Sequence, residues 1–474
     1  MRVDLSLERH VSLRPVRSRG RAVLVFPNTY HVGMSSLAVH TLYGLLNRAQ
    51  ITCERAFWHP GARDLRSLES ATPLAGFDFV LISSSFELDW LQLPVLLEAG
   101  GLPPLRQQRD ERHPILIAGG PAVTGNPEPL ADLVDALVIG EVEPIASQLA
   151  HLFAEADSRQ QVLEALESLP GLYLPDRQEV CAAQRLYAPD LDAFPTASEI
   201  LTPATEFGDR LLVEVSRGCG RSCRFCLARS IYHPFRVRRP QTILAAVDSA
   251  LPLTRRVGLI GASVSDYPWL EELLAGLRNR GVSFSVSSLR ADSLTPVLLE
   301  ALAASGQDTL TLAPEAGTDA LRAEIGKPMQ EADLARAVEW GAAAGLRRFR
   351  LYFMVGLPGE TDQDMDALGA LMARLKALAP HAAFSVTLSP FVPKRHTALH
   401  DAPFGPVSLL RRRLQRALAA LRQAGVFDVS GESPRAAELQ AILSRGGRQL
   451  GRALVAAGGV AANFRKLAHQ SSEG

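Results

Sequence analysis

The sequence carries no surplus of either charge: Lys and Arg number 50, Asp and Glu number 50, and the formal net charge is zero. No global field therefore draws the chain toward nucleic acid or a membrane surface. Long apolar runs are missing as well. The runs at Ala22–Phe26 and Phe79–Ile82 are strand-length, far short of the roughly 20 residues that a membrane span needs. Met1 to Arg21 has no apolar segment and no small-residue cleavage site, so a signal peptide is not expected. The expectation is a cytoplasmic protein with no membrane partner. Cysteine is scarce, five in 474 residues, which excludes a disulfide framework. No repeat of solenoid period is present.

What is there suits a large globular chain. Hydrophobic residues make up 47 %, ample for two or three buried cores in 474 residues. From Ala22 to about Ala154, short β-branched runs alternate with helical periodicity. Ala22–Phe26, Phe79–Ser83, Pro114–Ala118 and Ala136–Ile139 read as strands, and Gly33–Arg48 as a helix with Leu37, Leu42, Leu45 and Leu46 on one face. This is the pattern of an open parallel sheet with helices on both sides. Residues 156–205, with Pro170, Pro175, Pro189, Pro195 and Pro203, read as a linker with little structure beyond a short hairpin. Alternation resumes with six strand candidates: Leu211–Val215, Val257–Ile260, Val282–Val286, Thr309–Leu312, Phe349–Met354 and Phe384–Leu388. A six-fold β/α series predicts a partial or complete barrel with its chemistry at the carboxyl ends of the strands. Beyond Pro406 the chain reads as helical and arginine-rich. The expected organisation is an α/β chain: an arm over 1–20, a Rossmann-like domain over 21–155, the linker, a barrel over 206–405, and a helical region over 406–474.

Three of the five cysteines fall within eight residues, in Ser216-Arg217-Gly218-Cys219-Gly220-Arg221-Ser222-Cys223-Arg224-Phe225-Cys226. Thiolates are soft ligands for an iron–sulfur cluster or for zinc. Gly218 and Gly220 allow the tight backbone of a loop wrapped around one centre. A cubane held by three cysteines keeps one iron open, whereas structural zinc needs a closed fourth ligand, for which His233 is the nearest downstream candidate. Three inert buried thiols are the remaining alternative. Cys53 and Cys181 stand alone and read as ordinary thiols.

A CxxxCxΦC loop after the first strand of a β/α series resembles the signature of the radical S-adenosylmethionine (SAM) superfamily, with Phe225 in the aromatic position. The resemblance implies a 4Fe–4S cluster on Cys219, Cys223 and Cys226 whose open iron binds the amino and carboxylate groups of SAM. It also implies an electron donor such as flavodoxin or ferredoxin. Later strand ends carry further similarities. Gly261-Ala262-Ser263-Val264-Ser265-Asp266 stands where members often have Gly-Gly-Glu for the SAM amino group, so Ser263 and Ser265 are candidates, without the glutamate. Ser287-Ser288-Leu289-Arg290 resembles the segment near the SAM ribose and carboxylate, making Ser288 and Arg290 candidates. Ala313-Pro314-Glu315-Ala316-Gly317 is similar to the (I/P)E(S/A)G segment, and the run from Tyr352 through Gly356 to Thr361 resembles the one lining the adenine site. On bland readings Glu315 caps the helix starting near Thr318, and the run Gly356-Leu357-Pro358-Gly359 is only a turn.

The N-terminal region places small residues at the ends of its strands: Ser83-Ser84-Ser85, Gly119-Gly120 and Gly140-Glu141. Open α/β sheets bind ligands there. The region resembles the cobalamin-binding domain that often precedes this barrel, including Gly119-Gly120, Pro127-Glu128 and Gly140-Glu141. The cobalt-ligating DxHxxG loop aligns with Asn28-Thr29-Tyr30-His31-Val32-Gly33, with Tyr30 in the histidine position. Any cobalamin is therefore expected without a lower histidine ligand. The alternative is a Rossmann-like domain that has lost its cofactor, with His31 a solvated or capping group. Over nearly its whole length the chain resembles uncharacterised bacterial radical SAM proteins.

The function this implies is reductive cleavage of SAM to a 5′-deoxyadenosyl radical. With cobalamin the reaction would be methyl transfer to an unactivated carbon; without it, another C–H functionalisation. Methylthiolation of tRNA or a ribosomal protein is a second reading, but it calls for three more N-terminal cysteines, and only Cys53 and Cys181 precede the motif. A regulatory protein that holds cofactors without turnover is a reading of another class. The tail arginines, among them Arg411, Arg412, Arg413, Arg416, Arg448 and Arg452, would meet an anionic substrate or RNA, or form a solvated helical face. The substrate class, whether small molecule, peptide or RNA, stays open.

Overall fold

A computed structural model describes residues 4–11, 20–155, 157–177, 179 and 183–470; Cys181 lies outside them. The chain divides into two compact units, Met1–Leu211 with Ile442–Gly474, and Leu212–Ala441.

The first unit is built on six strands: β1 (Arg21–Phe26), β2 (Thr52–Phe57), β3 (Phe79–Ser83), β4 (Ile115–Gly119), β5 (Ala136–Val138) and β6 (Leu172–Tyr173). Their order is β2-β1-β3-β4-β5-β6. The first five are parallel, and β6 closes the sheet antiparallel to β5. Continuous apolar runs such as Ala22–Phe26 are buried along their length, as expected of strands covered on both faces. The strand order reverses at β1, flanked by β2 and β3, so the crevice at their carboxyl ends is the switch point where such sheets take ligands.

β2 was not expected, because Glu54 and Arg55 interrupt its apolar pattern. The structure answers the charge in place. Arg55 is buried, with Nη1 and Nη2 on the Glu8 carboxylate at 2.8 and 2.7 Å and Nε on Glu69 at 2.7 Å. Its guanidinium also lies 5.1 Å from the centre of the Tyr43 ring. Glu8 comes from the N-terminal arm, where Arg9–His10 pairs antiparallel with Ile200–Leu201.

The region read as a linker holds more structure than its prolines suggested. Helix Arg159–Ser168 starts on Ser158, whose hydroxyl accepts from the Gln161 amide at 3.3 Å, and it buries Val162 and Leu166. β6 follows directly. Within the same unit the C-terminal segment is tied down by polar contacts. Asn126 donates to the Leu443 and Gly446 carbonyls at 2.8 and 2.9 Å, and Arg448 binds Asp132 at 2.6 Å.

The second unit contains β7 (Leu211–Glu214), β8 (Arg256–Ile260), β9 (Ser283–Val286), β10 (Thr309–Glu315), β11 (Arg348–Val355), β12 (Ala383–Pro390) and β13 (Asp428–Gly431). β7, β8 and β9 are neighbours in one sheet, and β10 to β13 run in chain order in another. A parallel bridge between Leu289 and Leu312 joins the two. The six expected strands all form, with helices such as Pro240–Ala250, Leu270–Asn279 and Glu331–Ala343 between them. β13 is a seventh, in a tail that read as wholly helical. Its Asp-Val-Ser-Gly sequence is mostly exposed, with Val429 its one apolar residue and only partly covered; pairing with β12 from Ser385↔Asp428 onward makes it a strand.

Alternation sorts the two faces of β10 and β11. Leu310, Leu312, Phe349, Leu351, Phe353 and Val355 are buried, while Thr311, Ala313, Glu315, Tyr352 and Met354 are only partly covered. This second, half-open face carries polar side chains to the carboxyl ends of the strands.

Candidate active site

The cysteine loop leaves β7 at Glu214, a buried carboxylate that anchors both sides of the turn. Arg217 reaches it at 2.8 and 3.0 Å, and Arg238 at 3.1 and 2.7 Å. Burial would raise its pKa, but the two guanidiniums outweigh that and hold it below the usual carboxylate range. Ser216–Arg217 then pairs antiparallel with Arg236–Val237, closing a ribbon around the loop. Gly218, at φ +79°, sits where a Cβ would come 2.3 Å from the Tyr232 carbonyl oxygen. Only glycine fits that turn.

Downstream, the loop is strapped to two other segments. The Arg224 amide donates to the Ile325 carbonyl at 2.9 Å, and the Leu399 amide donates to the Arg224 carbonyl at 3.2 Å. Phe225 packs against a buried cluster of Ala316, Leu321, Ile325, Leu357, Phe391 and Leu399. The aromatic position thus moors the loop to the carboxyl ends of β10, β11 and β12.

Cys219, Cys223 and Cys226 are free, partly exposed thiols. Burial pushes Cys223 and Cys226 above the ordinary thiol range, and each is influenced by the other cysteines of the loop. Among the described residues, no three His, Cys, Asp or Glu side chains converge as ligands of a single ion.

A collar of charge surrounds these thiols. Arg290 directs Nη1 to within 3.7 Å of the Cys223 sulfur, while its Nε and Nη2 bind Asp292 at 3.0 and 2.7 Å. Arg221 binds Asp266 at 2.9 Å and approaches Asp292 at 3.6 Å. Lys327 binds Glu315 at 2.9 Å. Glu315 ends β10 in a left-handed conformation, φ +71°, that is rare for a residue with a side chain. Burial raises its pKa above the usual carboxylate range, with Lys327 opposing. It does not cap the following helix: Thr318 does, accepting from the Leu321 amide at 3.3 Å.

Ser263 is buried, and Ser265 shares a 2.8 Å hydrogen bond with Ser293. Ser288 is exposed. Gly356, at φ +91°, opens a turn that is more than loop geometry, because Glu360 closes it from inside. That carboxylate accepts from the Gly356 and Leu357 amides at 2.8 and 3.4 Å and from Arg413 at 2.9 Å.

In the first unit, Asn28 lies at the end of β1 and donates to Asp89 at 2.9 Å. Tyr30 is buried, its hydroxyl on Glu8 at 2.5 Å, while exposed His31 holds Glu206 at 3.1 Å. Gly33 packs on the Phe57 ring, and Ser83 is buried at the end of β3. A Cβ on Gly119 would meet only ordinary contacts. On Gly120 it would come 2.4 Å from the Ser84 carbonyl oxygen, and on Gly140 2.2 Å from that of Leu186.

Sequence reasoning missed Lys327, Glu360 and Asp89. Lys327 had no local signal, since the Gly326 turn brings it to Glu315 from the far side of a helix. Asp89 had one: it and Glu87 lie in an otherwise apolar Phe-Glu-Leu-Asp-Trp-Leu stretch, and both are buried.

Residues 38–175 match the family described as radical SAM proteins, N-terminal, and residues 213–372 match the radical SAM superfamily. The uncharacterized protein MJ0966 of Methanocaldococcus jannaschii is 32 % identical over 438 residues, covering 91 % of this chain and 90 % of its own length. The chain belongs to the radical SAM superfamily. Among solved structures, the cobalamin-dependent SAM radical enzyme OxsB with aqua-cobalamin bound has a TM-score of 0.54 at 15 % identity, covering 85 % of this chain. OxsB with both aqua-cobalamin and SAM bound gives 0.52 at 15 % identity and 89 % coverage. The chain spans 56 % and 65 % of the length of those two chains, and the likeness is one of fold. Family membership implies a 4Fe–4S cluster and SAM, and the three thiols in one glycine-bearing loop are a donor set that fits the cluster. Among the described residues no helix is long and apolar enough to cross a membrane.

Proposed function

We propose that this protein cleaves SAM reductively and uses the resulting 5′-deoxyadenosyl radical to take a hydrogen atom from an unactivated carbon. The observation that carries the reading is a moored loop offering three thiolates, which leaves a cubane one iron for the amino and carboxylate groups of SAM. A cluster held on these thiolates would supply one electron to the sulfonium; the S–C5′ bonding pair would divide, one of its electrons joining the supplied one as a lone pair on the methionine sulfur and the other staying on C5′. The electron enters from a reduced donor of the flavodoxin or ferredoxin class.

The chain's own residues supply orientation and charge. Phe225 fixes the loop against the strand ends. Arg290 and Lys327 provide positive charge suited to the SAM carboxylate, and Glu315 negative charge suited to its ammonium. Ser263, Ser265 and Ser288 offer hydroxyls for its polar groups, and the Gly356 turn, held by Glu360, is assigned to adenine.

For the first unit the reading extends to cobalamin at the switch-point edge, with Asn28, Ser83, Gly119, Gly120 and Gly140 around it and no side chain from the Asn28–Gly33 loop on cobalt. Tyr30 and Gly33 then shape that loop from below through Glu8 and Phe57. Cobalamin would supply a methyl group, making the reaction methyl transfer to carbon. One observation favours the alternative, C–H functionalisation without cobalamin: Gly120 and Gly140 are glycines because the chain's own carbonyls press on them, with no ligand required.

The test is anaerobic reconstitution of the full chain with iron and sulfide, then addition of SAM and a strong reductant. The proposal expects 5′-deoxyadenosine and methionine in equal amounts, and their absence from a cluster-loaded sample would sink it. A corrinoid absorption spectrum that survives gel filtration would support methyl transfer; its absence after incubation with cobalamin would favour the alternative.

A further inference from the structure

The charged collar singles out one side chain with a task that holding SAM does not explain. Leu289 pairs with β10, its amide on the Thr311 carbonyl at 2.9 Å, and Arg290 follows in extended backbone. Successive residues in such a segment face opposite ways. Leu289 is buried, and Arg290 turns to the cysteine loop, where it is itself only 9 % exposed. Its planar fork is divided in use. Nε and Nη2 are taken by the two oxygens of Asp292, and Nη1 is left 3.7 Å from the Cys223 sulfur. Asp292 is braced in turn by Arg221 at 3.6 Å, and Arg221 by Asp266 at 2.9 Å. The guanidinium is thus prevented from turning away from the thiol.

Resting on the functional reading above, we propose that Arg290 is a positioning residue whose N–H bond to the Cys223 sulfur sets the reduction potential of the cluster. Reduction adds one negative charge to the cluster. A buried cation and an N–H donor on a ligating sulfur stabilise that charge more than they stabilise the oxidised state, so they raise the potential. Low exposure strengthens the effect, because little water screens it. Asp292 lies one bond further out and moderates the charge while holding the geometry. The consequence is easier electron uptake from a donor of modest reducing power.

The experiment uses the full chain reconstituted anaerobically, with the cluster potential read by EPR during a redox titration. Arg290→Gln should load iron and sulfide like the parent but show a more negative midpoint. Arg290→Lys, which keeps the charge but loses the fork, should fall between the two. At saturating SAM, cleavage by Arg290→Gln should slow with a mild reductant and recover with a stronger one, separately from any rise in KM that follows from losing a charge suited to the SAM carboxylate. A midpoint equal to the parent's in a fully loaded Arg290→Gln overturns the proposal, as does a raised KM with an unshifted midpoint, which would make Arg290 a contact for SAM alone. Should Arg290→Gln lose its cluster, Asp292→Asn decides: a shifted midpoint supports the proposal and an unshifted one overturns it. Failure of the parent to take up any cluster is a separate result, and it refutes the functional reading before any variant is made.

Discussion

Gly326 lies so close to Ser222 that a Cβ on the glycine would sit 2.5 Å from the Ser222 carbonyl oxygen. The turn after helix Asp319–Glu324 therefore presses directly on the cysteine loop, and Gly326 holds a positive φ of +73° to do so. Gly326→Ala meets two penalties, left-handed backbone and a backbone clash, together worth about 1–3 kcal/mol. The expected outcome is a loop pushed off its moorings, with less iron and sulfide bound per chain after reconstitution. Thermal unfolding beside iron analysis checks it; full loading with unchanged stability would show that the contact yields.

The same turn delivers Lys327 to Glu315, with side chains only 7 % and 14 % exposed. Removing one member of a buried pair leaves the other charge desolvated, at a cost of about 3–5 kcal/mol. Lys327→Met should approach that loss, and Lys327→Met combined with Glu315→Gln should recover much of it. Urea unfolding of the two single variants and the double variant measures the coupling. Additive losses would mean the pair does not interact.

Asp89 gives a pH signature. Burial raises its pKa to about 6, aided by Glu87 and opposed by Asn28. A carboxyl whose folded pKa stands above its unfolded value contributes stability at low pH and loses it as pH rises through the folded value. The window here runs from 3.8, the unperturbed value, to about 6. Between pH 4.5 and 7.5 the loss amounts to about 2 kcal/mol. Asp89→Asn removes this titration, so its stability relative to the parent should improve by about that much over the interval. Urea midpoints at the two pH values check it, and a pH-independent difference would assign Asp89 an ordinary pKa.

Much of this architecture could be read in advance where one physical signal dominated. Ala22–Phe26 and Phe79–Ser83 are apolar because both faces of a parallel strand are covered, and the cysteine spacing is set by one loop wrapping one centre. Reading failed where long-range contacts replace local pattern. β2 looks charged because Arg55 meets Glu8, 47 residues away in sequence. β13 has only Val429 as an apolar residue, and its strand character comes from pairing with β12. Lys327 and Glu360 escaped notice because a charged residue after a glycine turn is usually solvated, and only the fold shows that these two are buried.

The arginine-rich helix Val407–Gln423 offered a choice between an anionic ligand and a solvated face, and its side chains divide the answer. Arg413 is largely covered and binds the Glu360 carboxylate at 2.9 Å and the Glu360 carbonyl at 2.6 Å. Arg416 binds Asp366 at 2.8 and 2.5 Å, with both side chains about half-exposed. Burial places the Glu360 pKa at about 6, against the pull of Arg413, so losing that cation leaves a desolvated carboxylate inside the Gly356 turn. Arg413→Ala should cost about 3 kcal/mol. It should also raise the KM for SAM, because the loosened turn is the one assigned to adenine. Arg416→Ala removes a solvent-screened pair and should cost less than about 1 kcal/mol, with KM unchanged. Urea midpoints and SAM-dependence of 5′-deoxyadenosine formation distinguish the two; an Arg413→Ala effect as small as that of Arg416→Ala would mean that Arg413 does not support the turn.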